Sequence, residues 1–277
     1  MSALLPYLQS PVSWLMFVLG ATIGSFLNVC IIRIPQKTFF KTARSHCPHC
    51  GAAIPSWLNV PILSWLVLRG KARCCGKAIS PQYVLVELAT GLLFSGLYWR
   101  FPFIVSLDPQ LTLEPAEFIR FVHAALFSCA LLVCSVIDYH LQIIPDVISL
   151  PMIGLSPVIF AVHPDLTWFS STMGVLAGGG SLYLLAWGYY ALRGEAGLGM
   201  GDVKLLAAIG GWLGWESLMP TVLFASVTGA IIGVTAMLVM RNMTLRSAIP
   251  FGPFLALGAF VHLIFGHNVL ELLFTPQ

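Results

Sequence analysis

Two aspartates, Asp138 and Asp202, lie at the edges of long apolar runs of this sequence, where a carboxylate is costly to place. An ionisable group in that position is by default a functional one, and the partner of each aspartate is expected to be the other. Two carboxylates that approach within a few ångströms share one proton as a coupled pair. Such a pair can hydrolyse a peptide bond, because one carboxylate activates water while the protonated one donates to the scissile carbonyl. The two residues therefore predict aspartyl proteolysis.

The second aspartate belongs to the stretch GLGMGDVKLL, residues 197–206. Gly199 and Gly201 disfavour a regular helix but allow close backbone approach, so a substrate strand can lie against such a surface. Asp202 is expected in the first turn of a helix, where the helix dipole favours its charged form, although sequence alone does not assign the shared proton. Lys204 is predicted either to orient Asp202 or to recognise an acidic group of the substrate. The alternative for Lys204 is an anchor at the membrane interface.

Simpler interpretations exist for these carboxylates. An aspartate that follows glycines is often a helix cap. Asp146 follows Pro145 at the start of another apolar run, and it is either such a cap or the real partner of Asp202. Glu87, inside a further apolar run, is expected to be a satisfied polar group among helices rather than a catalyst.

The elements that must position these residues are predicted to be membrane helices. The chain has 277 residues, of which 58% are hydrophobic and only 9% charged, against roughly 25% charged in an ordinary soluble domain. Its mean hydropathy is +0.88. Apolar runs of about 20 residues, the length that crosses a bilayer, recur along the sequence. We therefore predict an all-α, polytopic membrane protein with about eight transmembrane helices. They are expected near residues 12–32, 84–100, 118–137, 147–163, 170–192, 203–216, 218–240 and 250–270.

Basic residues predict the orientation, because Lys and Arg that flank short loops stay in the cytoplasm. Eight of the fourteen lie between positions 33 and 83, with no Asp or Glu among them. We expect residues 1–32 to be a first span with the N-terminus outside, 33–83 to be a small cytoplasmic domain, and 84–277 to be the protease core of an inner-membrane protein. The net charge of +3 follows from this topology and gives no reason to expect nucleic acid. A basic loop that faces anionic lipid is the simpler interpretation.

The predicted cytoplasmic loop contains two cysteine pairs, Cys47 with Cys50 and Cys74 with Cys75. In a reducing cytoplasm such pairs indicate a structural zinc site rather than disulfides. Adjacent cysteines rarely both reach one tetrahedral ion, so the fourth ligand is either the second of them or a nearby histidine. The histidines in question are His46 and His49. The alternative is a loop with unused thiols.

Seven segments, taken in order, resemble the bifunctional type IV prepilin peptidases, which are membrane aspartyl proteases. The similarity covers nearly the whole length of the chain. The segments are GSFLNVCIIRIP at 24–35, CPHC at 47–50, NVPILSWLVLRGK at 59–71, ISPQYVLVELATG at 79–91, IDYHLQIIPD at 137–146, GMGDVKLL at 199–206 and FGPFLALGA at 251–259. Any one of them is a weak signal, but the ordered set is highly specific.

The resemblance implies that Asp138 and Asp202 are the catalytic pair. It implies cleavage of a short basic leader peptide after a glycine, in type IV prepilins or type II secretion pseudopilins, at the cytoplasmic membrane face. In many members of the family the same enzyme then methylates the new N-terminal amine with S-adenosylmethionine. The loop at 33–83 resembles the cytoplasmic domain associated with that second activity.

The sequence departs from the family at two places. A second Cys-x-x-Cys of the family would begin at position 72, but this chain has Ala72 there and Cys74 beside Cys75. This departure weakens the expectation of zinc. The family also often carries an acidic residue two positions after Asp138, and here that residue is His140, which is expected to tune the site while leaving the aspartate pair in place.

Two other classes of protein compete with the protease. The first is a proton-coupled transporter in which Asp138 and Asp202 form a relay. Transporter folds usually contain inverted repeats with broken helices in both halves, whereas glycine interruption occurs here in one region only. The second is a zinc-bearing membrane assembly factor without chemistry, which would tolerate asparagine at both aspartates.

Overall fold

The computed structural model describes residues 11–39, 46–106, 112–194, 199–239 and 250–274, leaving aside the side chains of residues 56, 105, 106 and 267–274. Most of this described chain is helical, as the sequence predicts. The α-helices are α1 (Pro11–Arg33), α2 (Leu63–Val67), α3 (Gln82–Arg100), α4 (Pro115–Leu141), α5 (Asp146–Ile159), α6 (Trp168–Arg193), α7 (Met200–Leu213), α8 (Leu218–Val239) and α9 (Gly252–Phe274). Short 3-10 helices lie at Ser56–Leu58 and Trp215–Ser217. Strands β1 (Ile104–Ser106) and β2 (Thr112–Leu113) form one antiparallel hairpin.

Each of the eight predicted apolar runs coincides with a helix, but the helices differ in length and hydropathy. Four helical stretches of the described chain are long and apolar enough to cross a membrane, namely Pro11–Arg33, Pro115–Leu141, Trp168–Arg193 and Trp215–Val239. Two shorter apolar helices are Asp146–Ile159 and Gly252–Gly266. The protein is therefore an integral membrane protein, while the expected number of about eight spans is not confirmed.

The chain divides into two compact units, Met1–Ala125 and Leu126–Gln277, and α4 runs through the boundary. In the first unit, α1 and α3 pack against each other along their length. Polar groups join the two helices at both ends. Asn28 Nδ2 donates to the carbonyl of Tyr83 at 3.0 Å, and Ser95 Oγ donates to the carbonyl of Ser13 at 3.0 Å. The two helices are therefore antiparallel, and the loop between them leaves and re-enters at the same end of the pair.

In the second unit, the short helix α7 is the centre of the packing. It contacts α5, α6 and α9, and its residues 205–212 are all buried. Trp212 stacks on Phe127 with ring centroids 5.9 Å apart, and its Nε1 donates to the carbonyl of Met152 at 2.8 Å. Burial by neighbouring helices explains how a helix of 14 residues with two charged side chains is tolerated here.

The closest helix approach in this unit joins α6 to α7. A Cβ added at Gly174 would lie 1.9 Å from the carbonyl oxygen of Gly210, so only glycine fits at this crossing. Ser171 Oγ donates to the carbonyl of Gly211 at 2.8 Å and satisfies a hydroxyl that is fully buried. The crossing fixes the position of α7 and therefore of the aspartate in its first turn.

Candidate functional site

Asp138 lies in the last turn of α4 and is buried, with 5% of its surface exposed. Its Oδ2 accepts a hydrogen bond of 3.0 Å from the backbone N–H of Gly252. Gly252 is the first residue of α9, and its N–H is one of the amides that a helix start leaves without an intrahelical acceptor. The carboxylate thus satisfies a free amide at the positive end of a helix. A Cβ at Gly252 would lie only 2.7 Å from the same Oδ2.

Asp202 lies in the first turn of α7, as predicted, and is half-buried. Its backbone N–H donates to the carbonyl of Gly199, the N-terminal cap of the helix, at 3.1 Å. The charge of Asp138 acts on the carboxyl of Asp202, so the two carboxyl groups are electrostatic neighbours. The structure therefore brings the two predicted residues together at the ends of two helices, within one unit.

Ile144 packs beside Gly252, whose N–H holds Asp138, and beside Gly201, which precedes Asp202. It lies in the link between α4 and α5 and is buried. A Cβ at Gly201 would lie 3.1 Å from its Cβ, and a Cβ at Gly252 would lie 3.3 Å from its Cδ1. Gly201 therefore serves close packing, while Gly199 has an ordinary φ of −73°, and a Cβ there would lie at an ordinary van der Waals distance, 3.6 Å, from Oδ2 of Asp202. Residues 197 and 198 of the same glycine-rich stretch lie outside the described residues.

Asp146 and Lys204 form an ion pair with 2.7 Å between Nζ and Oδ1. Asp146 begins α5 immediately after Pro145, and Lys204 lies two residues after Asp202 on α7. The pair connects the starts of the two helices at the candidate site. The structure thus places the Asp146 carboxylate on Lys204, and it gives Asp202 a different carboxyl neighbour, Asp138.

Sequence reasoning missed Gly252 and Ile144 as parts of this site. Gly252 is 114 residues from Asp138 along the chain, so no local pattern predicts their contact. The segment FGPFLALGA, which the family resemblance singled out, was the only signal available for Gly252. His140, at the position where the family often has an acidic residue, is exposed beside Tyr139 with ring centroids 5.1 Å apart.

The four cysteines of the first unit converge. All four Sγ atoms lie within 4.8 Å of one another. Cys47 and Cys75 are 3.8 Å apart and Cys50 and Cys74 are 3.2 Å apart, measured between Sγ atoms. Four thiolates bound to zinc at about 2.3 Å would be separated by about 3.8 Å in a tetrahedron. The thiols therefore form a candidate four-cysteine metal site whose donors and spacing fit structural zinc.

Two turns of matching geometry carry these cysteines. In the first turn, the N–H of Cys47 donates to the carbonyl of Ala52 and the N–H of Gly51 to the carbonyl of Cys47. In the second, the N–H of Ala72 donates to the carbonyl of Lys77, and the N–H of Gly76 to the carbonyl of Ala72. The closing glycines have φ of 72° and 68°. Ala72 thus occupies the position that corresponds to Cys47.

The same correspondence explains how adjacent cysteines both reach the cluster. Cys75 corresponds to Cys50, and Cys74 corresponds to His49, so the second turn supplies its two thiols from neighbouring positions. Neither histidine near Cys47 belongs to the ligand group found among the described residues. Cys74, and not His46 or His49, therefore supplies the fourth thiol of the candidate metal site.

The thiols of the cluster differ in acidity. Hydrogen bonds from the backbone N–H groups of His49 and Cys50 lower the pKa of Cys47 to about 6. Hydrogen bonding to Cys50 and Cys47 raises the pKa of Cys74 to about 12. A thiolate already present at neutral pH is the form that binds a metal ion. Cys47 is therefore prepared as a ligand by its own turn.

The fold and the site together define an integral membrane protein with two neighbouring carboxyl groups at helix ends and a separate four-cysteine cluster. Residues 18–101 match the bacterial peptidase A24 N-terminal domain, and residues 125–234 match the type IV leader peptidase family. This chain belongs to the type IV leader peptidase family, as the ordered motifs predict. The first match contains all four cysteines, and the second contains both aspartates.

Several relatives named prepilin leader peptidase/N-methyltransferase align over most of the chain. The protein of that name from Stutzerimonas stutzeri is 37% identical over 91% of this chain and 90% of its own length. Those from Pseudomonas aeruginosa and Aeromonas hydrophila are 35% and 33% identical, each over 96% of this chain and 96% and 97% of their own lengths. No solved structure shows significant similarity to this chain.

Proposed function

We propose that this chain is a membrane aspartyl endopeptidase that removes the leader peptide of type IV prepilins or type II secretion pseudopilins. The cut follows a glycine at the cytoplasmic face of the inner membrane. The observation that carries the proposal is that Ile144 packs beside both Gly252, which holds Asp138, and Gly201, which precedes Asp202, so that the two carboxyl groups interact electrostatically in a member of the type IV leader peptidase family. The name that the relatives share supports a prepilin as substrate.

In the proposed reaction the aspartate pair holds one proton. The ionised carboxylate accepts a proton from water while the water oxygen attacks the glycyl carbonyl carbon, and the protonated carboxyl donates to the carbonyl oxygen. The tetrahedral intermediate then breaks its C–N bond: the carboxyl that took the water proton gives it to the leaving amine, and the other carboxylate takes a proton from a hydroxyl of the intermediate as the new carboxyl group forms. The pair again holds one proton. The hydrogen bond from Gly252 holds Oδ2 of Asp138, which leaves the other carboxyl oxygen to face Asp202 or the water.

The proposed orientation puts the N-terminus outside the cell and both the 33–83 loop and the active site in the cytoplasm. The basic, acid-free composition of that loop supports this orientation. We propose that the chain is divided by function into a first span (1–32), a cytoplasmic loop domain (33–83) and a membrane protease core (84–277). The two residues of the pair lie at the end of α4 and the start of α7, as expected for sites at one membrane face.

A second activity is proposed from the relatives' shared name, namely N-methylation of the new N-terminal residue with S-adenosylmethionine as methyl donor. Cys47, Cys50, Cys74 and Cys75 would hold a structural zinc ion, which would stabilise the loop domain by tying its two turns together. The segment 18–101, which matches the N-terminal domain of the family, contains these cysteines, and this supports a link between the cluster and the proposed methylation region.

The transporter alternative gains no support from the family or from the relatives described above, which carry peptidase names. A purely structural role for the two aspartates is the remaining alternative, and it makes an opposite prediction for their asparagine variants.

The test compares leader removal by mass spectrometry, using the full-length protein in detergent with a prepilin that bears a basic leader. Asp138→Asn and Asp202→Asn are expected to leave the prepilin uncut, because neither can share the catalytic proton. Asp146→Asn is expected to cut, since its carboxylate pairs with Lys204. The control is Glu117→Gln, which alters an ion pair with Arg120 in the first turn of α4, at the opposite end of the helix from Asp138. Cleavage by both Asp138→Asn and Asp202→Asn would sink the proposal.

A further inference from the structure

An exposed apolar segment lies in the loop of the first unit, outside the long helices. Five large apolar side chains between positions 57 and 67 are exposed, and Val67 is 79% exposed. They are Trp57, Val60, Leu63, Leu66 and Val67. We call residues 57–67 the apolar loop segment. So many exposed apolar side chains within eleven residues need a partner that covers them.

Helix α2 gives this segment two different faces. Leu63, Leu66 and Val67 are spaced to share one face of the helix and are all exposed. Trp65 lies on the opposite face, where its Nε1 donates to the carbonyl of Ile79 at 3.4 Å and its ring packs beside Gly70. The loop domain therefore holds one face of α2 and directs the other away from itself.

The depth of the segment is fixed by Glu87 of α3. The N–H of Ile62 donates to Oε2 of Glu87 at 2.7 Å, and the same carboxylate bonds the side chain of Ser25 on α1. Ser25 lies eight residues before the end of α1 at Arg33, which is about 12 Å along a helix, and Glu87 lies five residues inside α3, which is about 7.5 Å. The chain at Ile62 therefore lies beside α1 and α3, about one to two helical turns in from the ends that the loop connects, and does not project beyond those ends.

The backbone at this contact is strained. Ile62 has a φ of 63°, a left-handed conformation that is costly for a β-branched residue. Glu87 is buried, with 7% of its surface exposed, and its hydrogen bond to the Ile62 N–H holds that conformation in place. A strained backbone conformation of this kind persists where the surrounding structure holds it in place, and such residues cluster at functional positions. Glu87 is thus the satisfied polar group that the sequence predicts, and it is also the attachment point of the loop.

The surroundings of the segment match a bilayer interface. Exposed apolar side chains of α1 and α3, at Phe26, Leu85 and Leu88, lie within two residues of Ser25 or Glu87, the residues at which the segment is attached. Exposed basic residues follow it, and the loop from 33 to 83 has no acidic residue. They are Arg69, Lys71, Arg73 and Lys77. Apolar side chains at shallow depth beside cations are typical of an element that lies on anionic lipid.

We propose that the apolar loop segment inserts the exposed face of α2 into the headgroup region of an anionic phospholipid leaflet, at a depth set by the Glu87–Ile62 hydrogen bond. Trp57, with Arg73 over its ring at 4.8 Å, lies at the polar boundary of this element. The cysteine cluster would then be held against the membrane surface. This inference concerns the loop and does not depend on the proposed peptidase activity.

The test measures membrane depth in full-length protein, one copy per nanodisc, in bilayers that mix phosphatidylcholine with phosphatidylglycerol. A ketone-bearing amino acid at position 66 carries a spin label that spares the native cysteines. Collision with oxygen, which partitions into lipid, is compared with collision with a water-soluble nickel complex. Reference labels replace Leu92, which is exposed on α3, and Lys77, which is exposed in the second turn.

The label at position 66 is expected to favour oxygen over nickel, as the Leu92 reference does, while the Lys77 reference favours nickel. Glu87→Ala is expected to move the position-66 label toward the Lys77 value and to leave the Leu92 reference unchanged, whereas Glu87→Gln keeps an acceptor oxygen and the depth. Nanodiscs of phosphatidylcholine alone are expected to reduce the oxygen preference.

Equal nickel access at positions 66 and 77 would overturn the proposal. If position 66 is shielded from nickel only when a prepilin is added, the segment binds substrate instead of lipid. If it is shielded only with two copies per disc, the segment mediates self-association. Either result would also overturn the proposal. An unchanged position-66 label in Glu87→Ala would overturn the role of Glu87 in setting the depth.

Discussion

The backbone N–H of Gly252 donates a 3.0 Å hydrogen bond to Oδ2 of Asp138, 114 residues away along the chain. The bond joins the end of α4 to the start of α9, so one of the two proposed catalytic carboxyls is held by a helix to which neither aspartate belongs. Ile144 packs against this contact and against the turn that carries Asp202. The positions of the two carboxyl groups therefore depend on the absence of a side chain at Gly252 and at Gly201.

Gly252→Ala is expected to reduce leader cleavage by at least about tenfold, since misplacing a catalytic group by about 1 Å can cost about 100-fold. The added Cβ would lie 2.7 Å from Oδ2 of Asp138 and must displace that carboxyl or the start of α9. The control is Gly154→Ala on α5, where a Cβ meets nothing within 4 Å. Initial rates on one prepilin, with both variants matched for thermal stability, check the expectation. Equal rates for the two variants would show that Gly252 does not orient the pair.

Gly201 and Gly199 are expected to differ although both flank Asp202. A Cβ at Gly201 would lie 3.1 Å from the Cβ of Ile144, whereas a Cβ at Gly199 has its nearest contact at 3.6 Å, an ordinary van der Waals distance. Gly201→Ala is therefore expected to lower the rate of leader cleavage by about a few-fold, and Gly199→Ala to leave it nearly unchanged. Rates for the two variants, measured side by side, check this order. A larger loss in Gly199→Ala would indicate that substrate, rather than Ile144, needs the space.

The positions of the helices could be predicted from the sequence because apolar runs are long and continuous. The partnership of Asp138 with Asp202 was also predicted, from depth in the membrane and from the family motifs. A contact between residues far apart along the chain leaves no local pattern in the sequence. No role for Gly252 could therefore be predicted from the sequence, although it lies in a segment that resembles the family. The pairing of Lys204 with Asp146, which are 58 residues apart, likewise required the structure.

The cysteine cluster illustrates a different limit of sequence reasoning. Counting cysteines identified the four residues whose thiols converge, but spacing argued against adjacent Cys74 and Cys75 as joint ligands. A search for two Cys-x-x-Cys pairs assumes that both turns carry their cysteines at the same two positions. The second turn instead has Ala72 at the position of Cys47 and the thiol of Cys74 at the position of His49. Only the three-dimensional correspondence of the two turns reveals that both thiols reach the cluster.

The ion pair between Lys204 and Asp146 is expected to contribute little to stability. The two side chains are 29% and 59% exposed, and ion pairs with solvent access typically contribute less than about 1 kcal/mol. A double-mutant cycle with Lys204→Met and Asp146→Asn is therefore expected to give a coupling free energy of unfolding below about 1 kcal/mol that decreases with salt. Lys204→Met is nevertheless expected to slow cleavage more than Asp146→Asn, because Lys204 is proposed to recognise an acidic group of the substrate, whereas the carboxylate of Asp146 pairs only with Lys204 among the residues that the structure describes. Equal effects on the rate would place Lys204 outside the proposed catalytic site.

The crossing of α6 and α7 is expected to tolerate no side chain. In Gly174→Ala the new Cβ would lie 1.9 Å from a backbone oxygen, which cannot move without displacing α7. We expect destabilisation of about 1–3 kcal/mol and a parallel loss of cleavage, since α7 carries Asp202. Gly180→Ala on the same helix, with nothing within 4 Å, is the matched control and should melt at or above the temperature of the parent. Thermal unfolding in one detergent compares the two variants, and equal melting temperatures would contradict the packing argument.

The correspondence of the two cysteine turns yields a prediction of loss and rescue. If the cluster holds one zinc ion per chain, as proposed, Cys74→Ala is expected to abolish its binding, because this change removes one of the four thiols within 4.8 Å of each other. Ala72→Cys in that background places a thiol at the position that corresponds to Cys47 and should restore the ion. Metal content by mass spectrometry, with release on treatment with a mercurial reagent, measures both steps. Zinc retained by Cys74→Ala would instead point to His49 or His46 as a ligand, and failure of the double variant to recover it would show that the two turns are not equivalent at the metal.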